Sequence, residues 1–281
     1  MTLLEQESEV VAEIDAFKNP KEGWFEKLGE MADQPLDLAG GAAFDSVLGG
    51  KFENVVSKVV DALNDVASWS VRDKAIFADF EAAGRDVDDV DDVAELPIEE
   101  SLDAIGGLSL KYRSIAAAEG AVTGVAGALG MAIDIPALVT ISLRAINEYA
   151  TYFGFDSNNP EERCYALLVL AVASTSTDAT RLLALQQITE IARDMADPAP
   201  PTREERTLTA ELLDKTAHAV VVRLAKGKLA QVVPVIGAAV GGGYNSAFLA
   251  EVCQTAKALY AERWLMRRHG TSVAVEARAV S

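Results

Sequence analysis

Cysteine and histidine are scarce in this sequence: Cys164, Cys253, His218 and His269 are the whole supply in 281 residues. Two thiols make no disulfide framework, and these four residues make no Cys/His metal cluster, which excludes a structural zinc site. Unpaired cysteines agree with a reducing compartment. Positive charge is also short, with 25 Lys and Arg against 43 Asp and Glu and a net charge of −18. So acidic a surface repels a phosphate backbone, and no basic stretch with interleaved aromatics offsets it, so nucleic acid is not an expected partner. The opening MTLLEQESEVVAEI has neither the basic start nor the unbroken apolar run of a signal peptide, so export is not expected. Long apolar runs are wanting as well. The longest uncharged stretch, Leu229 to Ala250, is long enough to span a bilayer. It contains Gln231, Pro234, Asn245 and four glycines, and burial within protein is the favoured reading.

What is present is helical rhythm from end to end. Phe52, Val55, Val56, Val59, Val60, Leu63 and Val66 form one apolar stripe opposite Lys51, Asn54, Lys58, Asp61 and Asp65. A second helix is expected from Ser70, its hydroxyl accepting from the Asp73 amide, to a stop at Gly84. The run RDVDDVDDVAELPIEE holds eight carboxylates between Asp86 and Glu100 but lacks the glycine and ligand spacing of a calcium loop. It reads as a solvated linker or short helix. Asp134 before Ile135 and Pro136 predicts a capped helix start, with the helix running to about Phe153 and a left-handed stop at Gly154 latched by Phe155. Asn159, Pro160, Glu161 and Glu162 form the clearest helix start in the chain. Further helices are expected from Asp178 to Met195, after a capping box of Thr202 and Glu205, and from Asn245 to His269. The tail TSVAVEARAVS is the one strand-like piece.

Ala117, Gly120, Gly124 and Gly127 recur at spacings of three and four within SIAAAEGAVTGVAGALGMAIDIP. Glycine costs roughly 1 kcal/mol relative to alanine inside a helix, so the stripe predicts close approach of another helix backbone. Gly237 and Gly241 in PVIGAAVGGGYN are the expected counterpart, each segment burying the other.

Glu119 shares the stripe of Ile115, Val122, Ala126 and Leu129, which is expected to face inward. A buried carboxylate needs a partner, and Arg144 on the following helix is the favoured one. Glu119, Asp134, Arg144 and Glu148 are therefore a candidate semi-buried polar cluster that binds a ligand or sets helix register. The plainer alternative is an exposed Arg144–Glu148 pair worth a few tenths of a kcal/mol. No histidine accompanies these carboxylates as in di-iron bundles, so no metal site is expected. His218 and His269 do not read as general bases, and Cys164 and Cys253 read as small core residues. No nucleophile triad or phosphate loop can be assembled.

The run AAAEGAVTGVAGALGMAIDIPALVTISLRAINEYATYFGFDSNNPEER resembles the central signature of the EcsC family, a glycine-rich helix leading to a Leu-Arg-x-Ile-x-x-x-Ala helix and a Gly-x-Asp turn. The later VVPVIGAAVGGGYNSAFLAEVCQTAKALYAER resembles that family's C-terminal element, whereas the first hundred residues carry no comparable likeness. Ala128 and Leu129 depart from the pattern, standing where Leu-Pro is expected. The resemblance implies that Glu119, Asp134, Arg144 and Asp156 matter, without assigning them a role. The family takes its name from a bacterial operon that also encodes ABC transporter components.

Together these readings predict an all-α, multi-helix bundle with glycine-rich, tightly packed central helices. Residues 1–100 are expected as a helical arm with an acidic linker at 86–100, residues 101–270 as the EcsC-like domain and 271–281 as a tail. The expected function is that of a non-enzymatic cytoplasmic or membrane-peripheral protein, without cofactor, acting at a membrane surface or on a transporter-like membrane-protein partner. The alternative is a hydrolase or small-ligand-binding enzyme built on the Glu119, Asp134, Arg144 and Glu148 cluster.

Overall fold

The computed structural model describes residues 3–20, 52–124, 127–175, 177–196, 210–228 and 237–278. Among them there is no strand; the chain is an all-α, multi-helix fold. The helices are α1 (Glu5–Lys18), α2 (Phe52–Asn64), α3 (Asp73–Ala82), α4 (Val90–Glu95), α5 (Ile98–Ile105) and α6 (Leu108–Gly124). They continue with α7 (Gly127–Tyr152), α8 (Pro160–Ala173), α9 (Asp178–Ala196), α10 (Ala210–Lys228) and α11 (Gly237–His269).

The apolar rhythm of α7 explains its place at the centre. Leu138, Val139, Leu143, Ala145, Ile146 and Ala150 are fully buried, on faces all round the helix, as a helix enclosed by others requires. It packs on α2, α6, α8, α10 and α11. The 33-residue α11 is the second spine, and its pairing with α6 is the most extensive helix contact in the protein. Val55, Val56, Val59 and Leu63 of α2 are buried in the same core as α7 and α11, as the stripe of that helix predicts.

Local signals held where the chemistry was local. Asn159 caps α8 by accepting from the Glu161 amide at 2.9 Å, with Pro160 in the first turn. After α7, Gly154 sits at φ +71°. The Phe155 amide donates to the Ala150 carbonyl at 2.9 Å and the Gly154 amide to Thr151 at 3.0 Å, a Schellman stop. The acidic run resolves into α4, whose first turn is closed by a capping box of Asp89 and Asp92, with Val87, Val93 and Ile98 turned into the core.

Four local expectations are corrected. Asp134 starts no helix, because α7 runs continuously from Gly127 with Pro136 inside it. An internal proline sacrifices one hydrogen bond to the carbonyl four residues back, and a helix enclosed by neighbours offsets that loss. Ser70 does not cap α3; its hydroxyl donates to the Ala67 carbonyl at 2.9 Å and Arg72 precedes the helix. The last helix begins at Gly237, two turns before Asn245. Residues 271–278 form no strand: Thr271–Val273 is a single 3-10 turn, Val275 and Ala277 are buried, and Lys18, Asn19 and Gln186 hydrogen-bond to the carbonyls of Val275, Glu276 and Ala277. Thr202 and Glu205 lie outside the described residues, as does the 229–236 part of the long uncharged stretch. Among the described residues no helix is long and apolar enough to cross a membrane.

Candidate functional site

The last turns of α6, the first turns of α7 and the start of α11 meet at one end of the bundle. Gly242 of α11 lies so close to α6 that a Cβ there would stand 2.8 Å from the Ala117 carbonyl oxygen. Here the two small-residue segments approach closely. Gly120 is buried in α6, while the surroundings of Gly124, Gly127, Gly237 and Gly241 lie outside what is described.

Backbone proximity brings polar side chains together. The Asn245 side-chain amide, fully buried, donates to Glu119 Oε2 and to Asp134 Oδ1, each at 2.9 Å. Thr123 Oγ1 donates to the same Asp134 oxygen at 2.6 Å. Asp134 is only 2% exposed, so these bonds supply the compensation that a buried carboxylate requires. The site thus joins three helices through Glu119, Thr123, Asp134 and Asn245. Asn245 was legible only as a helix start, because nothing in its neighbourhood in sequence signals a partner 126 residues away.

Arg144 does not join this cluster. It is half-buried further along α7, near the Tyr112 hydroxyl, and it makes no ion pair with Glu119 among the described residues. Glu148 is engaged by Lys111 of α6 at 2.6 Å, not by Arg144. Asp156 is exposed, and its carboxylate accepts from the Asn158 amide at 2.8 Å in the turn before α8. The five candidate residues therefore divide among three places, and only Glu119 and Asp134 come together. Ile115 and Val122, expected to face inward with Glu119, point outward instead, at 44% and 76% exposure. The helix is rotated so that Glu119 reaches Asn245 while its apolar neighbours face away from the core.

Elsewhere the buried ionic groups are ties between helices. Arg263 of α11 grips Glu162 of α8 with two nitrogens, at 2.5 and 2.6 Å, and its guanidinium lies 4.1 Å from the Phe155 ring centre and 4.3 Å from that of Tyr165. Burial alone would weaken its hold on the proton, but the Glu162 carboxylate more than reverses this and raises its pKa. Lys18 of α1 is wholly buried and donates to Thr189 Oγ1, Glu262 Oε1 and the Val275 carbonyl at 2.7, 2.7 and 2.9 Å. Burial lowers its pKa against the opposing pull of Glu262. Arg267 closes the opposite end of α7, donating to the Gly154 and Phe153 carbonyls at 2.7 and 2.9 Å.

Groups with intrinsic reactivity are withdrawn from solvent or already engaged. Both cysteines are buried, and burial pushes the Cys253 thiol up to about 12, away from the thiolate a nucleophile needs. His269 Nε2 lies 2.8 Å from Glu7 Oε1 at the end of α11. Among the described residues no group of three His, Cys, Asp or Glu side chains is placed to hold a metal ion.

The profile of the EcsC protein family matches residues 5–265, so the likeness extends into the first hundred residues as well. An uncharacterized protein of Bacillus subtilis (strain 168), YdbA, is 24% identical over 256 residues, 89% of each chain. Protein EcsC of the same organism is 28% identical over 180 residues, covering 64% of this chain and 70% of its own. No solved structure matches significantly.

Proposed function

The chain belongs to the EcsC protein family, and from that premise we propose that it is a non-enzymatic protein working from the cytoplasmic side at a membrane surface or on a membrane-protein partner. The observation that carries the reading is the exposure of large apolar side chains where α6 turns into α7. Val122 is 76% and Ile133 67% exposed there. Their neighbours Thr123 and Asp134 are hydrogen-bonded across the turn, which places both side chains at the same end of the bundle. Large apolar side chains exposed together at one end of a folded protein fit a surface that meets something apolar. The Glu119, Thr123, Asp134 and Asn245 cluster fits a structural part in this reading: it sets the register of α6, α7 and α11 and so fixes which face of α6 is turned outward. A hydrolase on this cluster has the weaker support, because Arg144 and Glu148 stand apart from it.

Cell fractionation tests the proposal. The protein is expected with the membranes, retained in part through a high-salt wash and released by carbonate. Recovery entirely in the soluble fraction at low salt would overturn it.

A further inference from the structure

The tie between α6, α7 and α11 holds more acceptors than donors. Glu119 and Asp134 each take a hydrogen from the single Asn245 amide, and Asp134 takes the Thr123 hydroxyl as well. The Asn245 carbonyl oxygen Oδ1, on a side chain with no exposure, has no hydrogen-bond donor among the described residues. A buried acceptor without a donor is destabilising. Turning the amide over brings no relief, since Oδ1 would then face two carboxylates. What the arrangement lacks is one proton. The other described charges on these helices face other groups. Lys111 of α6 pairs with Glu148 of α7, Arg113 of α6 lies near the Cys253 thiol and Arg144 of α7 near the Tyr112 hydroxyl. On α11, Glu251 is held by Arg181 of α9 and Arg223 of α10, and the Tyr244 hydroxyl donates to the Arg223 carbonyl at 3.2 Å. The sequence beside the tie is uncharged from Gly120 to Ile133 and from Leu229 to Ala250. Two ionised carboxylates on one amide repel each other, which raises the affinity of the pair for a proton.

We propose that Glu119 and Asp134 share one proton at neutral pH, carried by Glu119, and that this proton closes the tie between the three helices. A protonated carboxyl beside a primary amide makes two bonds. Its carbonyl oxygen accepts from Nδ2 and its hydroxyl donates to Oδ1, which supplies the missing donor. Asp134 stays ionised with its two donors, and its 2.6 Å bond from Thr123 has the length of a hydroxyl donating to a charged oxygen. Loss of the proton leaves two charges on one amide and loosens α6 from α7 and α11, so rising pH releases the tie. The folded-state pKa of Glu119 thus stands above its unfolded one: the stability it lends is fully present below the unfolded value and lost as pH rises through the folded value. The joint lies beneath the end that exposes Val122 and Ile133, and its titration does not depend on what that end meets.

The experiment compares the full chain with its Glu119→Gln variant, whose amide reproduces the protonated acid by donating to Oδ1 and accepting from Nδ2. Urea unfolding of both is measured from about pH 5 to about pH 9. Relative to the variant, the folding equilibrium constant of the unmodified chain is expected to fall about tenfold per pH unit between the unfolded and folded values. The variant should therefore be the equal of the unmodified chain, or more stable, at about pH 8. A carboxylic-acid C=O band in the infrared spectrum of the native protein at neutral pH should be lost in the variant. Asp134→Asn should be less stable than the unmodified chain at the same pH. A Glu119→Gln variant that fails to fold, that is the less stable of the two at about pH 8, or whose difference from the unmodified chain is independent of pH would overturn the inference. So would the absence of any infrared band that depends on Glu119. A gain in stability from Asp134→Asn would overturn the placing of the proton. A melting temperature raised by calcium or magnesium in the unmodified chain but not in Glu119→Gln would overturn it in favour of a metal ion.

Discussion

Substitution of Gly154 by alanine tests the junction between α4 and the end of α7. Two costs add at this position. The backbone sits at φ +71°, where an L side chain costs about 1–2 kcal/mol. The new methyl would also fall 2.5 Å from the Ala94 Cα and backbone nitrogen. Those are main-chain atoms of α4 and cannot swing aside, so relief requires moving that helix, at about 1–3 kcal/mol by analogy with overpacked cores. The expected loss is about 2–5 kcal/mol, a fall in melting temperature of roughly 4–20 °C for a chain of this size. Gly84 and Gly270 provide the internal comparison. Both have positive φ, at +83° and +85°, yet a methyl at either meets nothing within 4 Å. Gly84→Ala and Gly270→Ala should therefore cost about 1–2 kcal/mol each, the conformational part alone. Thermal and urea unfolding followed by circular dichroism measures all three. A Gly154→Ala variant no less stable than the other two would refute the contact between α4 and the end of α7.

Further outcomes follow from the buried polar groups. Arg263→Met should cost about 3–5 kcal/mol by stranding Glu162, and adding Glu162→Leu should recover much of it; a single variant losing under about 1 kcal/mol would contradict the burial of the pair. Asn245→Asp should place a third carboxylate against Glu119 and Asp134, destabilising the protein at neutral pH and less so in acid; a stability difference unchanged between the two would remove the carboxylates from contact. Burial tends to raise the pKa of Glu7, but its bonds from the Leu4 amide and His269 prevail and hold it below the ordinary 4.5. The stability it lends is therefore fully present above that value and lost as pH falls through the lower folded value, so Glu7→Gln should flatten the acid limb of a stability profile; an acid limb as steep as before would contradict the bonds that hold Glu7. Cys164 and Cys253 should resist a thiol reagent in the native protein and react together on unfolding; rapid labelling of either in the folded state would contradict their burial.

The sequence was most readable where a few adjacent residues settle the matter. The Asn159–Pro160 start and the Gly154–Phe155 stop are local geometry, and both stand where expected. Asp134 and Pro136 carry equally strong local signals, yet α7 passes through them, because packing of the helix on α6 and α11 outweighs one lost backbone bond. The orientation of α6 departs from its apolar pattern for a related reason. Its face with Ile115 and Val122 is apolar and predicts burial, whereas the partner that orients Glu119 is Asn245, 126 residues later. No periodicity encodes such a pairing. Glu162 was legible as a helix-start acid but not as the partner of Arg263, and Lys18 gave no sign at all of its burial.

The tie of Lys18 to Glu262 spans 244 positions, which turns a matter of geometry into one of time. A ribosome adding about 5–20 residues per second needs roughly 12–50 seconds to cover that distance. Throughout that interval α1 has been made and α11 has not, so Val10, Ile14 and Phe17 lack one of the surfaces that shelter them, and Lys18 must keep its ammonium group in water. The N-terminal helix can be among the first to form and still be among the last to dock. During synthesis its apolar face is on offer to chaperones and to neighbouring nascent chains, and it closes only when the end of α11 and the segment around Val275 arrive.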